Sequence, residues 1–131
     1  MKLITRDTDY AVRALTYIAN HKDKTISVSE LVEVLRIPRP FLRKILQILN
    51  KKRILKSLKG QGGGFNLALA PDKIFIADLM EIFQGPLKIN ECIFKKRICP
   101  GRNLCILKMK IDAIEDYVIK QLRSITLEAL L

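Results

Sequence analysis

The sequence lacks any uninterrupted apolar run of about 18 residues, the length that a membrane-spanning helix needs. Its opening stretch, "MKLITRDTDYAV", carries charges where a secretory signal peptide has an apolar segment. Its three cysteines are an odd number, which does not suit a framework of intramolecular disulfides. We therefore expect a soluble cytoplasmic protein with reduced thiols, folded as one compact domain.

Acidic residues are also missing between Glu33 and Asp72, although the chain contains 13 of them. The same stretch holds nine basic residues, which are Arg36, Arg39, Arg43, Lys44, Lys51, Lys52, Arg53, Lys56 and Lys59. Much of the formal net charge of +11 is therefore concentrated in one short segment. Such a segment is typical of a protein that binds a polyanion, above all nucleic acid, although a solvated basic face has the same composition.

The spacing of apolar residues predicts three helices in the first half of the chain. The first extends roughly from Thr5 to His21, with Thr5 or Asp7 as its cap. The second is short and opens with a capping box formed by Ser27 and Glu30. The third starts with Pro40 at its first position, because the prolines of "RIPRPF" interrupt the preceding helix.

The third helix has two different faces. The apolar face is expected to be buried and contains Phe41, Leu42, Ile45, Leu46 and Leu49. A second face carries long hydrogen-bonding side chains and no acid: Arg39, Arg43, Gln47 and Asn50. Two short helices joined by a tight turn, the second with donors directed outward, predict a helix-turn-helix.

Four glycines occupy five positions in "KGQGGG", between the strand-like runs "RILKSL" and "FNLALA". A phosphate-binding P-loop would need a lysine and then serine or threonine after the last glycine, whereas the chain has Phe65 and Asn66. A dinucleotide-binding turn would need a helix to begin at the glycines. The pattern instead predicts a β-hairpin, the wing of a winged helix, with Lys59 and Gln61 at its tip.

Two more helices are predicted after the hairpin. One extends from Ile76 to Phe83 and stops at Gly85 and Pro86, and a long one begins near Leu104. The long helix has an apolar seam formed by Leu107, Ile111, Ile114, Val118, Leu122 and Ile125. This seam can pack on the chain's own core or on a second copy, and its heptad-like spacing favours a dimer.

The fold class expected from these elements is mainly α with a small β-hairpin wing. Residues 1–86 form the winged helix-turn-helix DNA-binding region, and 87–103 form a cysteine-bearing loop. Residues 104–131 form the dimerisation helix and C-terminal tail, within the same compact domain.

All three cysteines lie in one segment, "CIFKKRICPGRNLC", as Cys92, Cys99 and Cys105. Their spacing is wider than zinc sites prefer, and no histidine is near. An iron-sulfur cluster accepts wider spacing and prefers thiolate ligands. The surrounding basic residues favour the thiolate form of the cysteines. A fourth ligand would have to come from elsewhere in the chain, from a partner chain or from solvent. Three unligated thiols in a basic loop are the alternative.

Several motifs together resemble the Rrf-type winged-helix transcription regulators over nearly the whole chain. They are "TDYAVRAL", "ISVSELVEVLRIPRPFLRKILQIL", "GQGGGFNLA", "DLMEIFQGP", the three-cysteine loop and the closing "ITLEALL". The resemblance implies a homodimer that is joined through the long helix and binds palindromic double-stranded operator DNA. It also implies that the three cysteines match the family's ligands for an iron-sulfur cluster, of either the four-iron or the two-iron type.

Members of the family differ in the fourth ligand. In IscR-like members a histidine lies three residues beyond the third cysteine, where this chain has Lys108. In NsrR-like members an aspartate from the first helix of the partner chain completes the shell, and Asp9 matches that position. An acid favoured by the dipole at the first turn of a helix is the other interpretation of Asp9.

The recognition helix also departs from the relatives, which often have serine at the positions of Pro38 and Pro40. Arg43 stands where IscR-like members have glutamate, so guanine becomes the expected base and the preferred operator should differ.

The contacts with DNA are assigned by residue type and position. Arg39, Arg43 and Gln47 are assigned to base edges. Phosphate contacts are assigned to Ser29, Lys44, Lys51 and the wing amides of Gly62 and Gly63. Lys59 is expected to reach the minor groove, with Gln61 beside it.

The expected function is a regulator that senses redox state, nitric oxide or iron-sulfur status through its cluster. Three other functions compete with it. The first is a regulator of the same fold that has no cluster and responds to a small molecule or a partner protein. The second is a basic iron-sulfur carrier, which would need neither the donor face nor the wing. The third is an RNA-binding module, which would need an aromatic platform that the chain lacks. No enzyme constellation is present, because the single histidine, His21, lies at a helix end without a nearby nucleophile.

Overall fold

The computed structural model describes residues 2–89 and 105–131 of the chain. The helices in these ranges are α1 Arg6–Asn20, α2 Val28–Leu35, α3 Arg39–Lys51, α4 Ile76–Gln84 and α5 Ile106–Ser124. The antiparallel strands β1 Leu55–Leu58 and β2 Gly64–Leu67 form the hairpin, and short 3-10 turns occur at Pro71–Lys73 and Leu127–Leu130. This order confirms the predicted helical fold with a hairpin wing. None of the described helices is long and apolar enough to span a membrane.

Helix α1 is fixed at its start by polar contacts. Thr5 is its N-cap, because its extended backbone places the side chain to accept from the Thr8 amide at 3.4 Å. Thr8 is fully buried, and its hydroxyl donates to Gln84 Oε1 at 2.8 Å. Since Gln84 is the last residue of α4, these bonds join the beginning of α1 to the end of α4.

Helices α2 and α3 form the predicted helix-turn-helix. Ser27 caps α2 by accepting from the Glu30 amide at 3.1 Å. After Leu35 the chain reverses at Arg36, whose φ of 54° lies in the left-handed region. Helix α3 then begins at Arg39, so Pro40 occupies its second position and the prediction of the first position was off by one residue.

The buried face of α3 consists of Leu42, Ile45, Leu46 and Leu49, as predicted. The prediction that Phe41 joins this face was wrong, because its side chain is 41% exposed. At about 100° per residue, Phe41 lies roughly 90° from the centre of the buried face. Its ring therefore flanks the core and faces solvent on one side.

The hairpin is attached to the rest of the molecule through its second strand. Leu55 pairs with Leu67 and Leu58 with Gly64, and Phe65 exchanges backbone hydrogen bonds of 2.8 and 3.1 Å with Ile26. A Cβ on Gly64 would lie 2.2 Å from the Ile26 carbonyl oxygen, so only glycine allows this approach. The wing is consequently held in place by the loop that precedes α2.

The C-terminal segment returns to the core after α5. The Ile76 amide donates to Ile125 O at 3.0 Å, and the Leu127 amide donates to Ile74 O at 2.8 Å. Leu127 is completely buried. These bonds dock the segment after α5 against the start of α4.

The predicted seam of α5 is divided between two environments. Leu122 is buried, and Val118 and Ile125 pack against the core. Most of the remaining large apolar side chains of α5 are 57–71% exposed, namely Ile106, Leu107, Met109, Ile114 and Tyr117. The C-terminal part of α5 thus completes the core, and the N-terminal part presents an apolar surface outward.

Candidate nucleic-acid interface

The donor face of α3 points into solvent, about 110° around the helix from the centre of the buried face. Arg39, Arg43 and Gln47 follow one another at four-residue steps, and all three are exposed. Because residues four apart lie on the same side of a helix, their side chains form one continuous stripe. The packing of Leu42, Ile45, Leu46 and Leu49 fixes the orientation of this stripe.

Ser29 belongs to the same surface, although it lies on α2. The Arg39 guanidinium donates from Nη2 to Ser29 Oγ at 3.0 Å, and both residues are exposed. This bond connects the start of the third helix to the start of the second. It holds Arg39 in one position and leaves its other donors available.

The wing tip is a tight turn in which the Gly63 amide donates to Gly60 O at 3.0 Å. Gly62 has a φ of +76° in this turn, which glycine adopts at little cost. Lys59, Gln61 and Gly62 are exposed. Since the Gly63 amide already has a partner within the turn, Gly62 is the glycine left for the proposed phosphate contact.

The charge of this surface is not compensated within the described residues. Acids are missing between Glu33 and Asp72, and none of the nine basic residues of that stretch forms an ion pair with another described residue. The ion pairs found in the described ranges join other residues, such as Arg13 with Asp9 and Lys24 with Glu30. Uncompensated cations on one surface are what a phosphate backbone attracts.

Arg6 was missed by the sequence analysis. Its guanidinium carbon lies 4.6 Å from the centre of the exposed Phe41 ring, within the range of a cation–π interaction. The contact brings one more cation, from the first residue of α1, to the N-terminal end of α3. The signal in the sequence was Phe41, whose position at the flank of the apolar stripe was assigned to the core.

A polar cluster joins α1 to α2 behind this surface. Glu30 Oε1 accepts from the Tyr17 hydroxyl at 2.8 Å and from Lys24 Nζ at 2.7 Å. The hydrogen bonds from Lys24 and Tyr17 lower the pKa of Glu30, and the bond to Glu30 raises the pKa of Tyr17. The capping box is therefore only half formed, because the Ser27 bond is present while the Glu30 carboxylate is used elsewhere.

Two of the four predicted metal ligands are residues that the structure does not describe. Cys92 and Cys99 lie outside the described residues. Cys105 is the N-cap of α5, with Sγ accepting from the Lys108 amide at 3.4 Å. The Asp9 carboxylate is partly exposed and pairs with Arg13 Nε at 2.9 Å. Within residues 2–89 and 105–131 no three histidine, cysteine or acidic side chains are grouped so that they could hold a metal ion.

Comparisons with known proteins match nearly the full length of the chain. A family model named Rrf2, described as "Iron-dependent Transcriptional regulator", matches residues 4–131. A protein of Aquifex aeolicus, provisionally named an HTH-type transcriptional regulator, is 36% identical over 93% of this chain and 86% of its own length. The HTH-type transcriptional regulator NsrR of Halalkalibacterium halodurans is 31% identical over 98% of this chain and 89% of its own length.

A solved structure agrees with the architecture. CymR, the global cysteine regulator of B. subtilis, superposes with a TM-score of 0.81 at 24% identity, covering 99% of this chain and 96% of that one. At that identity the likeness concerns the fold.

Proposed function

Because this chain belongs to the Rrf2 family of transcriptional regulators, we propose that it binds palindromic operator DNA as a cytoplasmic homodimer and that an iron-sulfur cluster controls its affinity. The observation that supports DNA binding most directly is the charge of the α3 surface. Nine basic residues between Arg36 and Lys59 have no ion pair among the described residues. The donor stripe and the first strand of the wing belong to this same segment of the chain.

The exposed side chains divide into two kinds of contact. Arg39, Arg43 and Gln47 would read base edges in the major groove, since arginine pairs with guanine and glutamine with adenine. Phosphate contacts would come from Ser29, Lys44, Lys51 and the Gly62 amide, while Lys59 and Gln61 extend toward the adjacent groove. Phosphate contacts supply most of the affinity, whereas base contacts select the sequence.

The homodimer is supported by the exposed apolar side chains of α5. Ile106, Leu107 and Tyr117 are 66–71% exposed, although their side chains are large and apolar. A contiguous apolar surface of this kind marks an interaction site in a soluble protein. A second copy of the same helix would cover it and would place two recognition helices on successive half-sites.

The cluster is supported by the chemistry of the available ligands. Cys92, Cys99 and Cys105 would supply thiolates, and Cys105 lies at a helix N-terminus, where negative charge is favoured. Asp9 of the partner chain would be the fourth ligand, and it would have to release Arg13 first. When bound, the cluster would supply a group that reacts with oxidants or nitric oxide.

The alternative is a regulator of the same fold that has no cluster and responds to a small molecule or a partner protein. Anaerobic purification separates the two, since a cluster gives a brown protein with visible absorbance, iron and acid-labile sulfide. Cys99→Ala should remove this absorbance and change operator affinity. If the anaerobic protein is colourless and has full operator affinity, the result would contradict the cluster and support the regulator without one.

DNA binding is tested with an operator selected by the full-length protein from a random duplex library. We expect Arg43→Ala to weaken operator binding by about 1–3 kcal/mol in fluorescence anisotropy and to relax the preference at one base pair. Lys73→Ala is the matched control, because Lys73 is an exposed cation outside α2, α3 and the hairpin. Equal effects of both substitutions would argue against base reading by α3.

A further inference from the structure

A cavity lies at the base of the hairpin, beside the C-terminal end of α1. Its volume is about 340 Å³, within the size range of small-ligand sites. Its walls include His21 and Lys22 after α1, Lys56 on β1 and Asn66 on β2. No part of the described apolar α5 surface contributes to it.

The charge of the cavity is positive. Three lysines line it, Lys22, Lys24 and Lys56, and no acidic side chain of the described residues does. Lys24 is neutralised by Glu30 at 2.7 Å. Lys22 and Lys56 form no ion pair with another described residue, so two uncompensated cations face the same space. A concave site with this charge selects an anion.

A buried polar atom in the same wall needs a donor. The Oδ1 atom of Asn66 is inaccessible to solvent and has no hydrogen-bond partner among the described residues. An unpaired buried acceptor costs free energy, which a ligand recovers when it donates to that atom. The ring of His21 is fixed nearby, because its Nδ1 donates to Tyr17 O at 2.8 Å.

We propose that this cavity binds a small organic anion that carries a hydroxyl or ammonium group beside its carboxylate or phosphate. The anionic group lies against Lys22 and Lys56, and the donor satisfies Asn66 Oδ1 once a rotation of that side chain turns the atom toward the cavity. Such a ligand connects the end of α1 to the base of both hairpin strands. Its binding therefore favours one position of the wing, and its effect on operator affinity rests on the proposed function.

The test uses His21, the single histidine of the chain, whose ring protons give an unambiguous NMR signal from the cavity. The full-length protein is titrated with malate and with succinate, which differ by one hydroxyl, at an ionic strength held constant with sodium chloride. We expect saturable shifts for both anions. Malate should bind roughly two- to tenfold more tightly, because only its hydroxyl can donate to Asn66.

Substitutions assign the contacts. Lys56→Gln should weaken both anions about tenfold, as expected for the loss of a charged hydrogen bond, whereas Lys120→Gln on α5 should change neither. Asn66→Leu should abolish the preference for malate over succinate. If Asn66→Leu does not fold, Lys22→Gln takes its place and should weaken both anions.

Shifts that do not saturate, or that sodium chloride reproduces, would overturn the proposal. A Lys56→Gln variant that binds both anions normally would also overturn it. The same holds if the only effect of Lys56→Gln is a lower salt dependence of operator binding, because the lysines would then contact the DNA backbone. A protein that binds malate but no operator would support the site and contradict only the regulator function.

Discussion

Among single residues, the glycines of the wing have two different roles. Gly60 and Gly62 have positive φ values, and a Cβ on either would meet no atom within 4 Å. Gly63 and Gly64 are confined instead, since a Cβ would lie 2.3 Å from Leu58 O or 2.2 Å from Ile26 O. The glycine cluster predicted the hairpin, but it did not predict this difference, because Ile26 is remote in sequence.

Gly64→Ala should destabilise the protein by about 1–3 kcal/mol, since the new methyl group meets the backbone and not a movable side chain. Gly62→Ala provides the comparison and should cost about 1–2 kcal/mol through its left-handed φ alone. Urea unfolding followed by circular dichroism measures both. A Gly64→Ala protein as stable as the wild type would show that Ile26 and β2 are not in contact.

Glu30 should contribute stability that depends on pH. Hydrogen bonds from Lys24 and Tyr17 lower its pKa in the folded state, so the unfolded state binds the proton more readily. Its contribution is therefore complete above the unfolded value, about 4.5, and is lost as the pH falls through the lower folded value.

Glu30→Gln should consequently be less stable than the wild type near neutral pH, with a difference that shrinks below about pH 4.5. Urea unfolding at several pH values checks this. Glu33→Gln is the control, because Glu33 is exposed and has no hydrogen bond or ion pair with another described residue. A Glu30→Gln deficit that stays constant down to acidic pH would contradict the assignment.

Among the elements, the helix ends were predicted best because their signals are local. Thr5 and Ser27 cap the helices as their sequence positions indicate, and the glycine after Gln84 ends α4. The prediction failed where partners come from elsewhere in the chain. Glu30 leaves its capping position because Tyr17 on α1 offers a hydrogen bond, and Phe41 faces outward beside Arg6.

Helix α3 should separate affinity from selectivity. Lys44→Ala removes one proposed phosphate contact, so the slope of log K against log salt should fall by about 0.9 while the ranking of operator sequences is retained. Arg39→Ala should change the ranking and cost about 1–3 kcal/mol. Anisotropy titrations over a salt series measure both, and identical behaviour of the two variants would contradict the division of roles.

At the scale of the whole molecule, the sequence predicted one seam on α5, and the structure divides that seam along the helix between the core and solvent. A 3.6-residue periodicity identifies apolar faces but does not say whether each packs on the chain's own core or on another chain. Leu122 and Val118 face the core, while Ile114 and Tyr117 face outward. The cysteine loop was assigned to an iron-sulfur cluster through its resemblance to a family. The spacing of the cysteines alone neither identified a fourth ligand nor excluded three unligated thiols.

Ile114→Asp should convert the proposed dimer to a monomer, because it places a charge on the exposed apolar surface. Asp116→Lys is a matched control, since it changes charge about 200° farther around the same helix. Sedimentation velocity measures the mass, and circular dichroism verifies that both variants are folded. An Ile114→Asp protein that remains dimeric would show that another surface joins the two copies.

The docking of Leu127 has a consequence for biosynthesis. Its side chain is fully buried and its amide bonds to Ile74, just before α4. A nascent chain therefore cannot close its core until residue 127 has left the ribosomal exit tunnel, even though the recognition helix emerged long before. Competence to bind an operator should thus appear abruptly, only once this segment has left the ribosome and docked.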